Sequence, residues 1–218
     1  MATDPYLEAK AEHADSLAAE VARVYVAAQL TMAASEAPLQ IPGWFLTRLR
    51  DVRFDGLIDA VVALGTLAGR SFGLGDEFEF EPGETISNYV GVAAGKQATA
   101  DFEALASGLA EADLGGELEK VVTDLVSAAQ KVAERDSRDQ IENVTNAALE
   151  DAASTAGMTS KTWRAGTNPR PSHLAQNGET VDLGQRFANG QRFPGSPAPP
   201  AEREGCNCWL TFSKGAAA

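Results

Sequence analysis

Apolar residues recur at helical spacing through the first 160 residues of this chain, and that spacing is lost afterwards. In one segment, Leu17, Val21, Val24, Ala28 and Met32 follow one another at intervals of three or four residues. Residues at these intervals share one face of an α-helix, and an apolar face has to be covered to be stable in water. A chain with several such segments therefore folds most simply as a helical bundle.

Helix-breaking residues divide this region into predicted elements. The first helix is predicted to begin at Pro5, since aspartate at position 4 is a good N-cap and proline suits the first helical position, and to end before Pro38. The remaining helices are predicted around residues 44–49, 57–64, 85–109 and 118–149, and the polar run at 135–138 would divide the last of them. In the stretch 76–81, acidic residues alternate with phenylalanines, and proline and glycine follow. This pattern predicts an extended connector or an edge strand.

The composition changes near residue 160. Residues 1–160 hold 11 basic and 27 acidic side chains, a net charge of −16, whereas residues 161–218 hold 7 and 4, a net charge of +3. Six of the ten prolines and both cysteines lie in the second part. We therefore predict two domains, an acidic helical domain of residues 1–160 and a small domain of residues 161–218.

Turn signals and short alternating runs dominate the smaller domain. Asn177-Gly178 and Asn189-Gly190 favour tight turns because both residue types accept a positive φ, and the second turn predicts a small hairpin over residues 186–193. Residues 206–212 alternate as a strand with Cys206 and Cys208 on one face. The predicted fold class is therefore α+β, with an N-terminal α-helical bundle followed by a small β-rich C-terminal domain.

The two cysteines stand two residues apart on the predicted strand. Same-face neighbours are about 6.5–7 Å apart along an extended chain, which is too far for an unstrained disulfide. A Cys-x-Cys pair can instead converge on zinc, and His173 supplies a third ligand, with Asp182, Glu204 or water as the fourth. Reduced structural thiols are the alternative to this zinc site. A nucleophilic cysteine paired with His173 would also need an orienting group and an oxyanion hole, and no local motif supplies them.

Charge and hydropathy exclude several classes of protein. No apolar run reaches the roughly 20 residues of a membrane span, and the N-terminus lacks the basic flank and apolar core of a secretory signal, so a reducing cytosol is expected. The overall charge of −13 argues against a protein that mainly grips phosphates. The terminal +3 part could still approach DNA or an acidic protein through its arginines, which are Arg164, Arg170, Arg186, Arg192 and Arg203.

A run of short motifs in the smaller domain resembles the Mu F-like minor head protein domain of tailed phages. The pieces occur in the family's order over about 50 residues, beginning with a lysine–tryptophan step and ending with Cys-x-Cys. The residues that carry the resemblance are Lys161, Trp163, Arg170, His173, Asn177, Gly178, Asn189, Gly190, Pro194, Gly195, Cys206 and Cys208. The helix at about 138–157 also resembles the one that leads into the family's domain.

The resemblance implies a minor capsid protein of the virion that acts at the portal vertex in head morphogenesis or DNA delivery. It would be assembled in the host cytoplasm, would bind the portal protein, the major capsid protein or both, and would lie near packaged DNA. It would be a structural protein and not an enzyme. A head–tail adaptor on the portal is one alternative. A zinc-dependent hydrolase or deaminase is the other, although a deaminase places glutamate two residues after the histidine, where this chain has Ala175.

Overall fold

The computed structural model of the chain describes residues 5–34, 40–112, 118–195, 202 and 206–215. Four long helices come first, and a single helical turn and three short strands follow. The long helices are α1 (Pro5–Ala33), α2 (Phe45–Ser71), α3 (Glu84–Glu111) and α4 (Leu118–Thr155). The later elements are β1 (Ser160–Arg164), the turn α5 (Pro171–Leu174), β2 (Thr180–Asp182) and β3 (Trp209–Ser213). The predicted α+β class, a helical bundle followed by a small β-rich part, is confirmed.

Two local predictions differ from the structure, and one stated alternative is resolved. The two helices predicted at 44–49 and 57–64 are one continuous helix, α2, and the polar run at 135–138 does not divide α4. The acidic stretch 76–81 is an extended connector, as one of the two interpretations held, and it contains no strand. No helix in the described ranges is long and apolar enough to cross a membrane.

The described residues pack as two units, each of which takes part of every long helix. The helical unit consists of Glu12–Ile58 and Ser87–Arg138, and the sheet-bearing unit consists of the described residues of Met1–Ala11, Asp59–Ile86 and Asp139–Ala218. The predicted domains 1–160 and 161–218 stay a prediction.

A buried polar cluster lies at the centre of the helical unit. The Arg53 side chain is fully buried and forms an ion pair with Asp101, with 2.5 Å between Nη2 and Oδ2. Arg53 also donates to the Ser137 hydroxyl at 3.2 Å, and Gln97 donates to Asp101 and to Asp136. Two buried charges remain compatible with a folded core when they are paired and hydrogen-bonded in this way. The run at 135–138 therefore anchors α4 to its neighbours within this unit.

In the sheet-bearing unit, the acidic connector packs its phenylalanines on glycines of α2. A Cβ atom added at Gly65 would overlap the ring of Phe80, and one added at Gly69 would overlap the ring of Phe78. The backbone N–H of Phe80 donates to the Thr66 hydroxyl at 2.9 Å. The connector is thus held against the helix by ring contacts that only a glycine surface admits.

The three strands form one antiparallel sheet in the order β2-β1-β3. On the central strand, Lys161 lies opposite Val181 and Phe212, and Trp163 lies opposite Leu210. Since alternate residues point to opposite faces, Lys161 and Trp163 share the face that is buried. This face positions the candidate site.

Candidate metal centre

His173 is held in place by a proline-framed turn. Pro171 occupies the first position of α5, and the backbone carbonyl of Arg170 accepts from the N–H groups of His173 and Leu174 at 3.0 and 2.8 Å. Proline suits this position because its fixed φ is already helical and its missing N–H would have no helical partner. The imidazole is 1% exposed and meets the Trp163 indole edge to face, with the ring centres 5.6 Å apart. The turn therefore points His173 inward against β1.

The two cysteines directly precede β3 and keep the alternation of the strand. Cys206 and Cys208 are buried, whereas Asn207 between them is exposed. The chain at Gly166 passes so close that an added Cβ would overlap Asn207, and the backbone N–H of Gly166 donates to Cys208. Glycine at this position lets the two segments approach, and the approach supplies the Cys208 sulfur with a donor.

The three side chains meet at one point. His173 Nδ1 lies 3.5 Å from the Sγ of Cys206 and 3.5 Å from the Sγ of Cys208, and the three ligand atoms all lie within 4.8 Å of one another. Zinc in a tetrahedral site has bonds of about 2.3 Å to sulfur and 2.0–2.1 Å to nitrogen, which separates the two ligand atoms by about 3.6 Å. A neutral ring nitrogen has one lone pair or one hydrogen, which suits a single hydrogen bond rather than two equal sulfur contacts. His173, Cys206 and Cys208 are thus a buried group that could hold a metal ion.

The two thiols share their protons unequally. The hydrogen bond from Cys206 lowers the pKa of Cys208 to about 5, aided by the Gly166 N–H and by His173 and opposed by burial. The pKa of Cys206 is raised, because it donates to Cys208 and because it is buried. Cys208 is consequently the thiol that ionises first, and the thiolate is the form that binds metals.

The same residues resemble a cysteine–histidine–carboxylate triad, since Glu202 lies next to Nε2 of His173. Nucleophilic catalysis requires a substrate to reach the sulfur, and Cys208 is only 1% exposed. A second thiol also occupies an equivalent position on the same ring nitrogen. These two features favour metal binding over covalent catalysis.

The structure excludes Asp182 as the fourth ligand. Asp182 pairs with Ser160 at one end of β1. At the other end of β1, Arg164 pairs with Trp209, the residue directly after Cys208. Four residues along a strand amount to roughly 13 Å, so Asp182 does not reach the group. Glu204 lies outside the described residues.

Among the resemblance residues, Lys161 has a buried charged group with several partners. Its ammonium is fully buried, donates to Glu150 Oε1 at 3.1 Å and to the Arg192 carbonyl at 2.7 Å, and lies 5.5 Å from the centre of the Phe187 ring. Arg192 Nε donates to the same Glu150 oxygen at 3.0 Å. Burial lowers the pKa of Lys161, and Glu150 opposes that change. This network ties β1 to α4 and to the loop before β3.

The two Asn-Gly pairs of the resemblance form turns. Asn177 Oδ1 accepts the Ala165 N–H at 3.0 Å, and the Gly178 N–H donates to the Trp163 carbonyl at 2.8 Å, which returns the chain to β1. Asn189 Oδ1 accepts the Gln191 N–H at 3.0 Å. The turn at Asn189-Gly190 is therefore confirmed, but β-strands do not flank it over the described residues 186–193, so the predicted hairpin is wrong.

Pro194 and Gly195 pack on α4. The Pro194 carbonyl accepts from the Asn146 amide at 3.3 Å, and the Gly195 N–H donates to Gln191 Oε1 at 3.0 Å. Gly195 has a φ of +85°, and a Cβ at this position would overlap the Asn143 side chain. The position accepts glycine for both reasons.

Sequence reasoning missed three residues of this region, namely Glu150, Gly166 and Glu202. In the sequence, Glu150 is one of many acidic residues of a helix. Its role follows only from the burial of Lys161, which needs a charged partner. Glu202 stands 29 residues after His173 in a proline-rich stretch, where spacing carries no signal.

Comparisons with protein-family models, with curated proteins and with solved structures gave no match.

Proposed function

We propose that this chain is a minor head protein of a tailed phage, a structural component that acts at the portal vertex in head assembly or DNA delivery. The observation that carries the proposal is the ordered motif run, whose described members all belong to one folded part of the chain. Lys161 and Trp163 lie in its interior, and Asn177 and Asn189 close its turns. A resemblance built from residues that hold one small structure together is better support than scattered matches.

The roles of these side chains support a structural rather than an enzymatic protein. Lys161 is occupied by Glu150 and a backbone carbonyl, and both sulfurs are turned inward. A deaminase would need a glutamate beside the metal-bound histidine to move protons. Glu179, the nearest acidic residue after His173 in the sequence, accepts the Ala188 N–H at 2.9 Å and serves as a loop anchor.

We further propose that the metal is zinc. Two thiolates and one imidazole are a ligand set typical of zinc, and the sulfur–nitrogen distances fit its bond lengths. The described part of the chain supplies three ligands, and a water molecule or a residue outside the described ranges would complete the site. Zinc would stabilise this small β-rich part of the chain, because the turn that carries His173 and the segment that carries Cys206 and Cys208 would be tied to one ion.

The expected partners are the portal protein, the major capsid protein or both. Residues 1–160 carry a net charge of −16, so packaged DNA would repel them and their contacts should be with protein. The +3 part could lie nearer to DNA, although Arg192 is already paired with Glu150 and Arg186 donates to the Gly190 carbonyl. Arg203 lies outside the described residues.

The function is tested by assembling phage heads with and without this chain and imaging them without imposed symmetry. We expect density at the portal vertex that disappears when the chain is omitted. A position outside the head, on the portal's tail-facing ring, would favour the adaptor alternative. Absence of the chain from purified heads would contradict both.

A further inference from the structure

The outward ring nitrogen of His173 faces a carboxylate. Nε2 lies 3.0 Å from Glu202 Oε2, and the Ser172 hydroxyl donates to the same oxygen at 2.7 Å. In this geometry Nε2 makes no hydrogen bond, so its contact with Glu202 is one of proximity. The Glu202 side chain is one-third exposed, which leaves it room to rotate into line.

The two nitrogens of His173 have different surroundings. Nδ1 faces the two sulfurs, and Nε2 faces Glu202, on the opposite edge of the ring. A metal can bind Nδ1 only when that nitrogen offers its lone pair, so the hydrogen of the neutral ring must be on Nε2. A carboxylate that accepts from Nε2–H favours this tautomer and makes Nδ1 a stronger donor.

We propose that Glu202 is the outer-sphere carboxylate of the metal centre and that Ser172 holds it in position. Glu202 is then a positioning residue, since it acts through His173 and does not touch the metal. This inference rests on the proposed zinc site, and it excludes Glu202 as the missing fourth ligand because its carboxylate lies across the ring from the sulfurs.

The arrangement also bears on the second ring nitrogen of the buried His173. His173 is 1% exposed, and its Nε2 is a buried polar atom that makes no hydrogen bond in this geometry. Leaving such an atom unpaired costs about 1–3 kcal/mol. Rotation of the partly exposed Glu202 carboxylate into line would satisfy Nε2 without placing a fully buried carboxylate in the core.

The experiment measures zinc affinity by competition with a chromophoric chelator, using the full chain. Glu202→Ala should weaken zinc binding by about 10–100-fold, the usual effect of removing an outer-sphere partner. Glu202→Gln retains an acceptor without the charge and should fall between the wild type and the alanine variant. Asp182→Asn is the matched control, since it removes one exposed carboxylate of the same unit, and it should leave the affinity unchanged.

A second readout tests the tautomer directly. Nitrogen-15 NMR of zinc-loaded wild-type protein should show the metal on Nδ1 of His173 and the hydrogen on Nε2, and Glu202→Ala should weaken that preference in the metal-free protein. Zinc on Nε2, or equal zinc affinity of the wild type and Glu202→Ala, would overturn the inference. A wild-type chain that binds no zinc would refute the proposed metal site, which is a different result from wild-type binding without dependence on Glu202.

Discussion

The substitution Lys161→Met tests the interior of the sheet-bearing unit. It keeps most of the aliphatic stem and removes the ammonium group. That group is fully buried, 3.1 Å from Glu150 Oε1 and 2.7 Å from the Arg192 carbonyl. Without it, the buried Glu150 carboxylate retains only the Nε of Arg192, at 3.0 Å, as a charged partner.

The size of the effect follows from that remaining contact. Removing one partner of a buried ion pair costs about 3–5 kcal/mol because the other charge stays buried. Arg192 still compensates one carboxylate oxygen, so we expect a loss near the lower limit, about 3 kcal/mol. This is a large share of the roughly 5–15 kcal/mol by which a native protein is stable.

The assay is urea unfolding followed by tryptophan fluorescence, with Trp163 adjoining the altered site. Lys214→Met, which removes an exposed ammonium near the end of the same sheet, is the control and should change stability by less than about 0.5 kcal/mol. Glu150→Gln and the double variant complete a thermodynamic cycle, in which contacting residues should be non-additive. A loss below about 1 kcal/mol for Lys161→Met, or strict additivity in the cycle, would refute the reasoning.

Two further predictions concern residues of the long helices. Gly65→Ala should lower the free energy of unfolding by about 1–3 kcal/mol, because its methyl group would overlap the Phe80 ring. The matched variant Gly95→Ala, with no atom within 4 Å of the added Cβ, should raise it by up to about 1 kcal/mol, and equal effects in denaturation would contradict the packing argument. Burial raises the pKa of Glu142 above its ordinary 4.5 despite its ion pair with Lys10, so the folded chain binds this proton more tightly than the unfolded chain does. Wild-type stability should therefore fall as pH rises from 4.5 through the folded pKa, Glu142→Gln should lose that dependence, and parallel pH–stability curves would contradict the assignment.

The helical periodicity was enough to predict helices within all four of the long helices, but not that α2 and α4 are continuous. Gly56 stands between the two helices predicted in place of α2, and packing favours glycine there, since an added Cβ would lie 2.9 Å from Leu17 Cδ1. Ser137 stands in the run predicted to divide α4, and its hydroxyl is buried against Arg53. Both residues are weak helix formers that tertiary contacts retain, and a single sequence shows the propensity but not the contact.

The ligands of the candidate metal centre could be predicted from the sequence, whereas the residues around them could not. The pair Cys206 and Cys208 with His173 follows from residue types alone, since soft ligands at short spacing are few in this chain. Glu202 and Gly166 could not be found in this way, because their roles depend on how distant loops meet. Asp182 was expected as a possible fourth ligand from its place in the sequence, and the strand register excludes it.

Zinc K-edge X-ray absorption of the purified, zinc-loaded chain tests the metal centre most directly. We predict two sulfur ligands at about 2.3 Å and one imidazole nitrogen at about 2.0–2.1 Å. The double variant Cys206→Ser and Cys208→Ser should lose the sulfur signal and bind zinc far more weakly. A wild-type spectrum with only oxygen and nitrogen ligands, or a chain that takes up no zinc, would contradict the assignment of His173, Cys206 and Cys208.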